Sequence, residues 1–418
     1  MISTDFAPNE SWDDAWISLK LIFQPWRWKN GEESKLIKQK ICNLLNVPCF
    51  KLHVSLFLSG RSALYFFLKS LNLPPDSEVI VQAFTCEAVV LPILANNLKP
   101  VYIDIEAETF SMNYKKLIDQ IPKRAKVLIL QHTFGLTPKF RDEIIKFAHE
   151  NKLIIIEDLA HGFNPVIFKT SNIQPPTSNF YLFSFGRSKL LSSVFGGVIV
   201  SSNNTAIKHY NNLTMPSSFF IFHCLLYKPL TTLIKSTYDI YFGKILHKIL
   251  YKLKLLIPEI TEKEKSGYFD ESFNKAYPNA LAILLLHQFN KFEQIQQQRL
   301  KICQVYSGQI SKYQYLISKQ IANHQVPPIK HPLIRFPLLA RNRNAILSNL
   351  KKYKIYLGKW YDQAVAPKEL ELSRVGYKRN SCPVAEEICQ KIINLPTNIS
   401  ERDAIKIIKK LARIKSKD

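Results

Sequence analysis

Residues 183–189 read Phe183-Ser184-Phe185-Gly186-Arg187-Ser188-Lys189, and a glycine pair, Gly196-Gly197, follows. The apolar run Tyr181-Leu182-Phe183 leads into a polar turn that ends on a lysine, and Val198-Ile199-Val200 resumes after the glycines. This composition predicts strand, lysine-bearing turn, strand. Upstream, Ile154-Ile155-Ile156-Glu157-Asp158-Leu159-Ala160-His161 carries β-branched residues into two carboxylates. Continuous apolar strands are those of a sheet covered on both faces, and such sheets gather their functional groups at the carboxyl ends of the strands. Asp158 and Lys189 both fall just past a strand end.

The same rhythm extends outward over residues 52–202. Val79-Ile80-Val81, Val101-Tyr102-Ile103 and Val127-Leu128-Ile129-Leu130 read as further buried strands. Helical periodicity separates them at Ser62 to Leu71, Glu87 to Asn97, Tyr114 to Ile121 and Phe140 to Asn151. Alternating strands and helices predict an α/β fold with a mostly parallel sheet flanked by helices. From about residue 277 a long helix is expected. Leu333-Ile334-Arg335-Phe336 and Lys354-Ile355-Tyr356-Leu357 are strand candidates in a smaller C-terminal α/β domain. Ser400, followed by Asp403, reads as the cap of a closing helix to Ile414. The expected division is an N-terminal segment 1–50, a large domain 51–300 and a small domain 301–418.

With 418 residues, the chain can bury a large core. Its seven cysteines lack metal-ligand spacing, and their odd number argues against a disulfide framework; Cys382 and Cys389 read as packing residues. Together with a start that has no basic-then-apolar leader, this predicts a cytoplasmic protein and no metal site. The net charge of +24 raises three classes of partner: nucleic acid, an anionic membrane surface, or polyanionic small substrates. No zinc-finger spacing, aromatic RNA-binding strand motif or tight basic arm is present, so nucleic acid is not expected.

Residues 205–275 break the rhythm as an apolar and basic helical insertion. The run opened by Phe219-Phe220-Ile221-Phe222 is interrupted by His223, Lys228 and Pro229, too soon for a membrane span. Further on, Ile245, Ile249, Leu253 and Leu256 can share one helical face, and Lys244, Lys248 and Lys252 form another. The favoured expectation is a helix packed by its apolar face on the body with a solvated lysine face. The alternative is peripheral contact with the inner face of a membrane.

A lysine and a buried carboxylate at one end of a sheet are what pyridoxal phosphate chemistry needs. The aldehyde of that cofactor bonds to a lysine amine, and an acid keeps its ring nitrogen protonated, so that the ring becomes an electron sink. Lys189 is the candidate lysine and Asp158 the candidate acid; on its own Asp158 also reads as a helix N-cap. His161 is placed to meet the ring hydroxyl or serves as a structural histidine. Gly60-Arg61-Ser62 opens a helix after Leu56-Phe57-Leu58, and free N–H groups there suit a phosphate. Ser184 can add its hydroxyl. Gln131-His132-Thr133-Phe134-Gly135 is expected on the pocket floor without a chemical role. Arg187 and Arg335 are candidates for substrate contact.

In order and spacing these pieces resemble the DegT/StrS-type sugar aminotransferases, a branch of the fold-type-I pyridoxal phosphate enzymes. The resemblance runs through Ser59-Gly60-Arg61-Ser62-Ala63-Leu64, Glu78 to Thr85, Pro100 to Ile105, Glu157 to His161, Phe183 to Lys189 with Gly196-Gly197, Pro278 to Ala282, and Cys382 to Glu387 with Asn394-Leu395-Pro396. It implies a pyridoxal phosphate fold with Lys189 as the covalent lysine and Asp158 as the pyridine partner. Gly60, Arg61, Ser62 and Ser184 would lie at the phosphate, with Phe84, Thr85, Cys86 and His161 around the ring. It also implies a homodimer that moves an amino group, commonly from glutamate, to a nucleotide-linked keto-sugar for cell-surface glycan synthesis. Cys86 stands where many relatives place an aromatic residue that stacks on the ring, and Asn274 and Lys275 match only loosely a region that reaches the partner subunit. Two alternatives are a related reaction such as sugar dehydration, whose enzymes generally replace the lysine with histidine, and an inactive membrane-associated scaffold.

Overall fold

The structure, a computed structural model, describes residues 1–162, 180–201, 213–253, 255–312, 329 and 331–414. Its centre is a seven-stranded sheet of β1 (His53–Phe57), β2 (Glu78–Gln82), β3 (Lys99–Ile103), β4 (Ala125–Gln131), β5 (Ile154–Asp158), β6 (Phe180–Ser184) and β7 (Gly197–Ser201), in the order β1-β7-β6-β5-β4-β2-β3. The neighbours from β6 through β3 are parallel, while β7 runs antiparallel to both β6 and β1. Val127, Leu128, Ile129 and Leu130 of β4 and Ile155 and Ile156 of β5 are all buried, as expected of strands with helices on both faces. Gly197 is required where β7 passes the start of a helix: a Cβ there would stand 2.2 Å from the carbonyl oxygen of Ser59.

Helices α1 (Trp12–Ile22), α2 (Glu33–Leu45), α3 (Gly60–Ser70), α4 (Glu87–Ala95), α5 (Tyr114–Asp119) and α6 (Arg141–Glu150) precede or connect the strands. Then come α7 (Ser218–Thr237), α8 (Phe242–Lys252), α9 (Asn279–Asn290) and α10 (Phe292–Lys312). The long helix expected from about 277 is therefore two helices, and α10 runs across the expected 300/301 boundary. The C-terminal region pairs β8 (Arg335–Leu339) with β9 (Ile392–Pro396), antiparallel, under α11 (Arg343–Lys351), α12 (Pro383–Lys391) and α13 (Glu401–Ala412). Ser400 caps α13 by accepting from the Asp403 N–H. Asp104, just past β3, accepts from the N–H groups of Val384 and Ala385 at 3.0 and 2.9 Å. A carboxylate on the open start of α12 ties the C-terminal region to the main sheet.

The N-terminal segment is not separate. Ile2–Ser3 pairs with Ile355–Tyr356, α1 lies along α7, and Ser18 donates to the Leu225 carbonyl. Cys382 and Cys389 are buried in the C-terminal core, as expected. Cys42 and Cys49 form a disulfide with Cα atoms 5.3 Å apart, a pairing the odd cysteine count did not suggest.

The insertion departs from expectation in one respect. Its second helix, α8, does pack on the body, but through Gly243 and Leu250. Ile245, Ile249 and Leu253, expected against the body, face outward; Leu256 is half-buried. Residues 205–212 of the insertion lie outside the described residues. Among the described residues, no helix is long and apolar enough to cross a membrane.

Candidate active site

The carboxyl ends of β4, β5 and β6 and the start of α3 surround one cavity of about 220 Å³, closed on its other side by residues 359–362 and 366–367. Asp158, Lys189, Gly60, Arg61, Ser184, Cys86 and His161 all line it. The lysine and the acid, far apart in sequence, thus share one chamber.

Asp158 is buried at the end of β5. Its Oδ2 accepts from the Gln131 amide at 3.0 Å and its Oδ1 from the Ala160 N–H at 3.0 Å. Burial pushes its carboxyl above the usual range, and these hydrogen bonds and the Lys189 charge oppose that only in part. A positive partner in the cavity would remove the imbalance. Gln131, expected only to line the floor, therefore orients this carboxylate.

Lys189 sits in the turn after β6, its N–H bonded to the Gly186 carbonyl and its Nζ 5.3 Å from the centre of the Trp360 ring. The turn is clamped from outside. The Asn9 amide donates to the Arg187 carbonyl at 3.1 Å and also to that of Lys189, while its oxygen accepts from buried Arg299 at 2.6 Å. No sequence signal singles out Asn9, because the contact spans 180 residues.

At the opposite wall Ser59 caps α3, accepting from the Ser62 N–H at 3.2 Å. The first N–H groups of a helix have no intrahelical acceptor, so those of Gly60 and Arg61 open toward an anion. A Cβ on Gly60 would come within 3.1 Å of Ser184 Oγ, so only glycine leaves the amide and the hydroxyl converging. This cradle, facing a buried acid and an amine, fits a phosphorylated ring with a protonated nitrogen and an aldehyde. One group opposes the fit: Glu259 reaches the same end and accepts from Ser188 Oγ at 3.0 Å.

Four expected positions are corrected. Ser62 is fully buried and donates to the Phe273 carbonyl at 2.8 Å, outside the cavity. Phe84 is core, packed among Phe110, Phe134 and Tyr361. Thr85 pairs with Val365 in a two-residue ladder and does not line the cavity. The Arg61 guanidinium is committed to Glu264 and to the Glu259 carbonyl, and lies 4.6 Å over Phe273. Its charge is compensated within the fold, and only its backbone is open to an anion. The two arginines considered for substrate also lie outside the lining. Arg187 stacks on Tyr227 and Phe195, and Arg335 pairs with Asp5 and lies 3.2 Å over Trp360.

Cys86 does line the cavity, and burial pushes its thiol up to about 12, so it is a neutral, non-nucleophilic group. The aromatic surface absent at this position comes from elsewhere in the chain. Trp360 stacks on His161 with ring centres 5.1 Å apart, and Tyr361 bonds the His161 Nε2 at 3.0 Å. The Phe134 N–H points at His161 Nδ1, so the proton sits on Nε2 and is donated to the tyrosine oxygen. Burial pushes the His161 pKa well down, keeping the ring neutral. Trp360 and Tyr361 belong to a C-terminal loop whose position over the sheet no local pattern reveals.

Comparison with known proteins agrees with this geometry. Residues 18–219 and 255–412 match the DegT/DnrJ/EryC1/StrS aminotransferase family. An uncharacterized protein of Methanocaldococcus jannaschii is 25% identical over 86% of this chain and 85% of its own length. The dTDP-4-amino-4,6-dideoxy-D-glucose transaminase of Escherichia coli is 30% identical, over 42% of this chain and 45% of its own, so the chain spans less than half of that enzyme. NtdA of Bacillus subtilis, solved with bound PMP, superimposes with a TM-score of 0.67 at 18% identity, covering 96% of this chain and 82% of NtdA. That likeness establishes the fold. The chain belongs to the DegT/DnrJ/EryC1/StrS aminotransferase family, and it is a pyridoxal phosphate-dependent aminotransferase of fold type I.

Proposed function

We propose that the protein moves an amino group from an amino acid, glutamate being the expected donor, to the keto carbon of a nucleotide-linked sugar used for cell-surface glycans. The observation that carries this reading is the meeting of Lys189, Asp158 and the Gly60–Ser184 cradle in one cavity. The sugar class rests on relatives such as the Escherichia coli transaminase, which is named for a dTDP-linked aminosugar.

Pyridoxal phosphate, when bound, supplies the electron sink and carries the amino group between the two substrates. Asp158, held by Gln131 and Ala160, accepts the ring N–H. The N–H groups of Gly60 and Arg61 and the Ser184 hydroxyl hold the phosphate. Lys189 Nζ would hold the cofactor, and its amine could move the proton at the reacting substrate carbon as base and then acid. Neutral His161, fixed by Tyr361 and Trp360, faces the ring without adding charge, and the Trp360 ring keeps water from the lysine side. Lys359, on the rim, offers a cation to the diphosphate of the substrate. Membership of the family supports a homodimer with its active sites at the subunit interface as the working form.

The test supplies purified protein with pyridoxal phosphate, glutamate and a panel of dTDP-, UDP- and GDP-linked keto-sugars, read by mass spectrometry. Conversion of at least one keto-sugar to its amine, with 2-oxoglutarate formed in equal amount, is expected. A cofactor-loaded protein that produces 2-oxoglutarate from glutamate but aminates no nucleotide sugar, and does aminate a free keto acid, would overturn the substrate class.

A further inference from the structure

We propose that the outward face of α8 docks the protein onto an anionic lipid bilayer, with the helix lying in the headgroup plane. The rotation of this helix is fixed by its inner side. A Cβ on Gly243 would stand 2.2 Å from the Ile234 carbonyl oxygen, so α8 lies directly against the end of α7, and Leu250 is buried beneath it. His247 adds an edge contact to Phe6, with ring centres 5.1 Å apart.

With that side committed, Tyr241, Ile245, Ile249 and Leu253 form a row on the outside. Ile245, Ile249 and Leu253 are 59%, 48% and 61% exposed. Lys244, Lys248 and Lys252 run beside this row, within about 100° of it around the helix axis. A helix that merely covers a globular body turns its isoleucines inward and its lysines outward. Here both rows are on the outer side, which is the arrangement of a helix lying at a lipid–water boundary.

Charge decides between the occupants of such a face. Between Asp239 and Glu259 the chain has no acidic residue. A second copy related by a two-fold axis would bring lysine row against lysine row with nothing on α8 to pair them. Lipid phosphates complement the lysines, whose stems can lie along the apolar surface while the ammonium groups reach the headgroups. Ile245, Ile249 and Leu253 then enter the acyl boundary. The net charge of +24 draws the whole molecule toward the same surface.

The full-length protein is sedimented with vesicles of phosphatidylcholine alone and of phosphatidylcholine with phosphatidylglycerol. The expected result is binding to the anionic vesicles, weakened by salt, and little binding to the neutral ones. Replacing Lys244, Lys248 and Lys252 together by Gln lowers partitioning by about a hundredfold. Replacing Ile245 and Ile249 by Asn lowers it by about tenfold or more, with unchanged circular dichroism and cofactor absorbance. No binding to anionic vesicles at low salt, or equal binding by the wild type and the lysine variant, overturns the proposal. Dissociation of a dimer by the isoleucine pair, at whatever vesicle affinity, assigns the face to a second copy and also overturns it.

Discussion

Glu157 and Asp158 are consecutive carboxylates at the end of one strand, and they point to opposite faces of the sheet. On one face, Glu157 accepts from Nε and Nη2 of Arg141, at 2.7 and 2.8 Å, and meets His132 at 2.9 Å. Burial alone would raise its pKa, but the His132 hydrogen bond and the Arg141 charge outweigh burial and hold it at about 2. On the other face, among the described residues, Asp158 has an amide and a backbone N–H as its direct partners, and burial wins. Two buried neighbouring acids differ because Glu157 has a guanidinium in direct contact, whereas Asp158 feels the Lys189 charge without a direct ion pair among the described residues. The first is a structural anchor, and the second is suited to a positive ligand.

Substitutions on the two faces should separate these roles. Lys189→Ala is expected to lower turnover by about 10³–10⁴-fold, with melting temperature nearly unchanged. Asp158→Asn should cost turnover by about a hundredfold or more with the fold intact; an Asp158→Asn enzyme of normal rate would remove the ring partner from the account. The neighbouring change, Glu157→Gln, should act oppositely. It removes the buried negative charge that faces Arg141 and destabilises by about 3 kcal/mol, measured by denaturant unfolding, while the surviving protein binds cofactor normally.

Acid sharpens the contrast. Because the folded pKa of Glu157 is depressed from 4.5 to about 2, its stabilisation is complete above 4.5 and is lost as pH falls toward 2. The stability gap between wild type and Glu157→Gln should therefore close over that window, by about 3 kcal/mol in total. A gap that stayed constant to the lower limit would mean that the carboxylate charge is not what Arg141 requires. The smallest effect is expected at the phosphate end. Glu259 brings a negative group to Ser188, so Glu259→Gln should tighten pyridoxal phosphate binding by about fivefold, seen by equilibrium titration.

The strands, the connecting helices and the Lys189–Asp158 pair were readable in the sequence because short apolar runs and their polar ends are local patterns. Gly60 and Ser184 were readable for the same reason. Long-range partners were not. Glu264 takes the charge of Arg61 from 203 residues away, and Trp360 and Tyr361 reach His161 from a C-terminal loop. Phe84 and Thr85 lie beside a cavity-lining residue in sequence, yet they turn into the core. The orientation of α8 was also hidden. Periodicity defines its stripes, but Gly243 decides which stripe faces the body, and that depends on the close approach of α7.

On the proposed reading, the amine of Lys189 is the group that takes the cofactor aldehyde. Borohydride reduction of protein loaded with pyridoxal phosphate, followed by proteolysis and peptide mass mapping, tests it most directly. The account predicts a stable pyridoxyl modification on Lys189 in the wild type and its loss in Lys189→Ala. Modification of a different lysine at equal stoichiometry in both proteins, or a loaded protein with none, would contradict it.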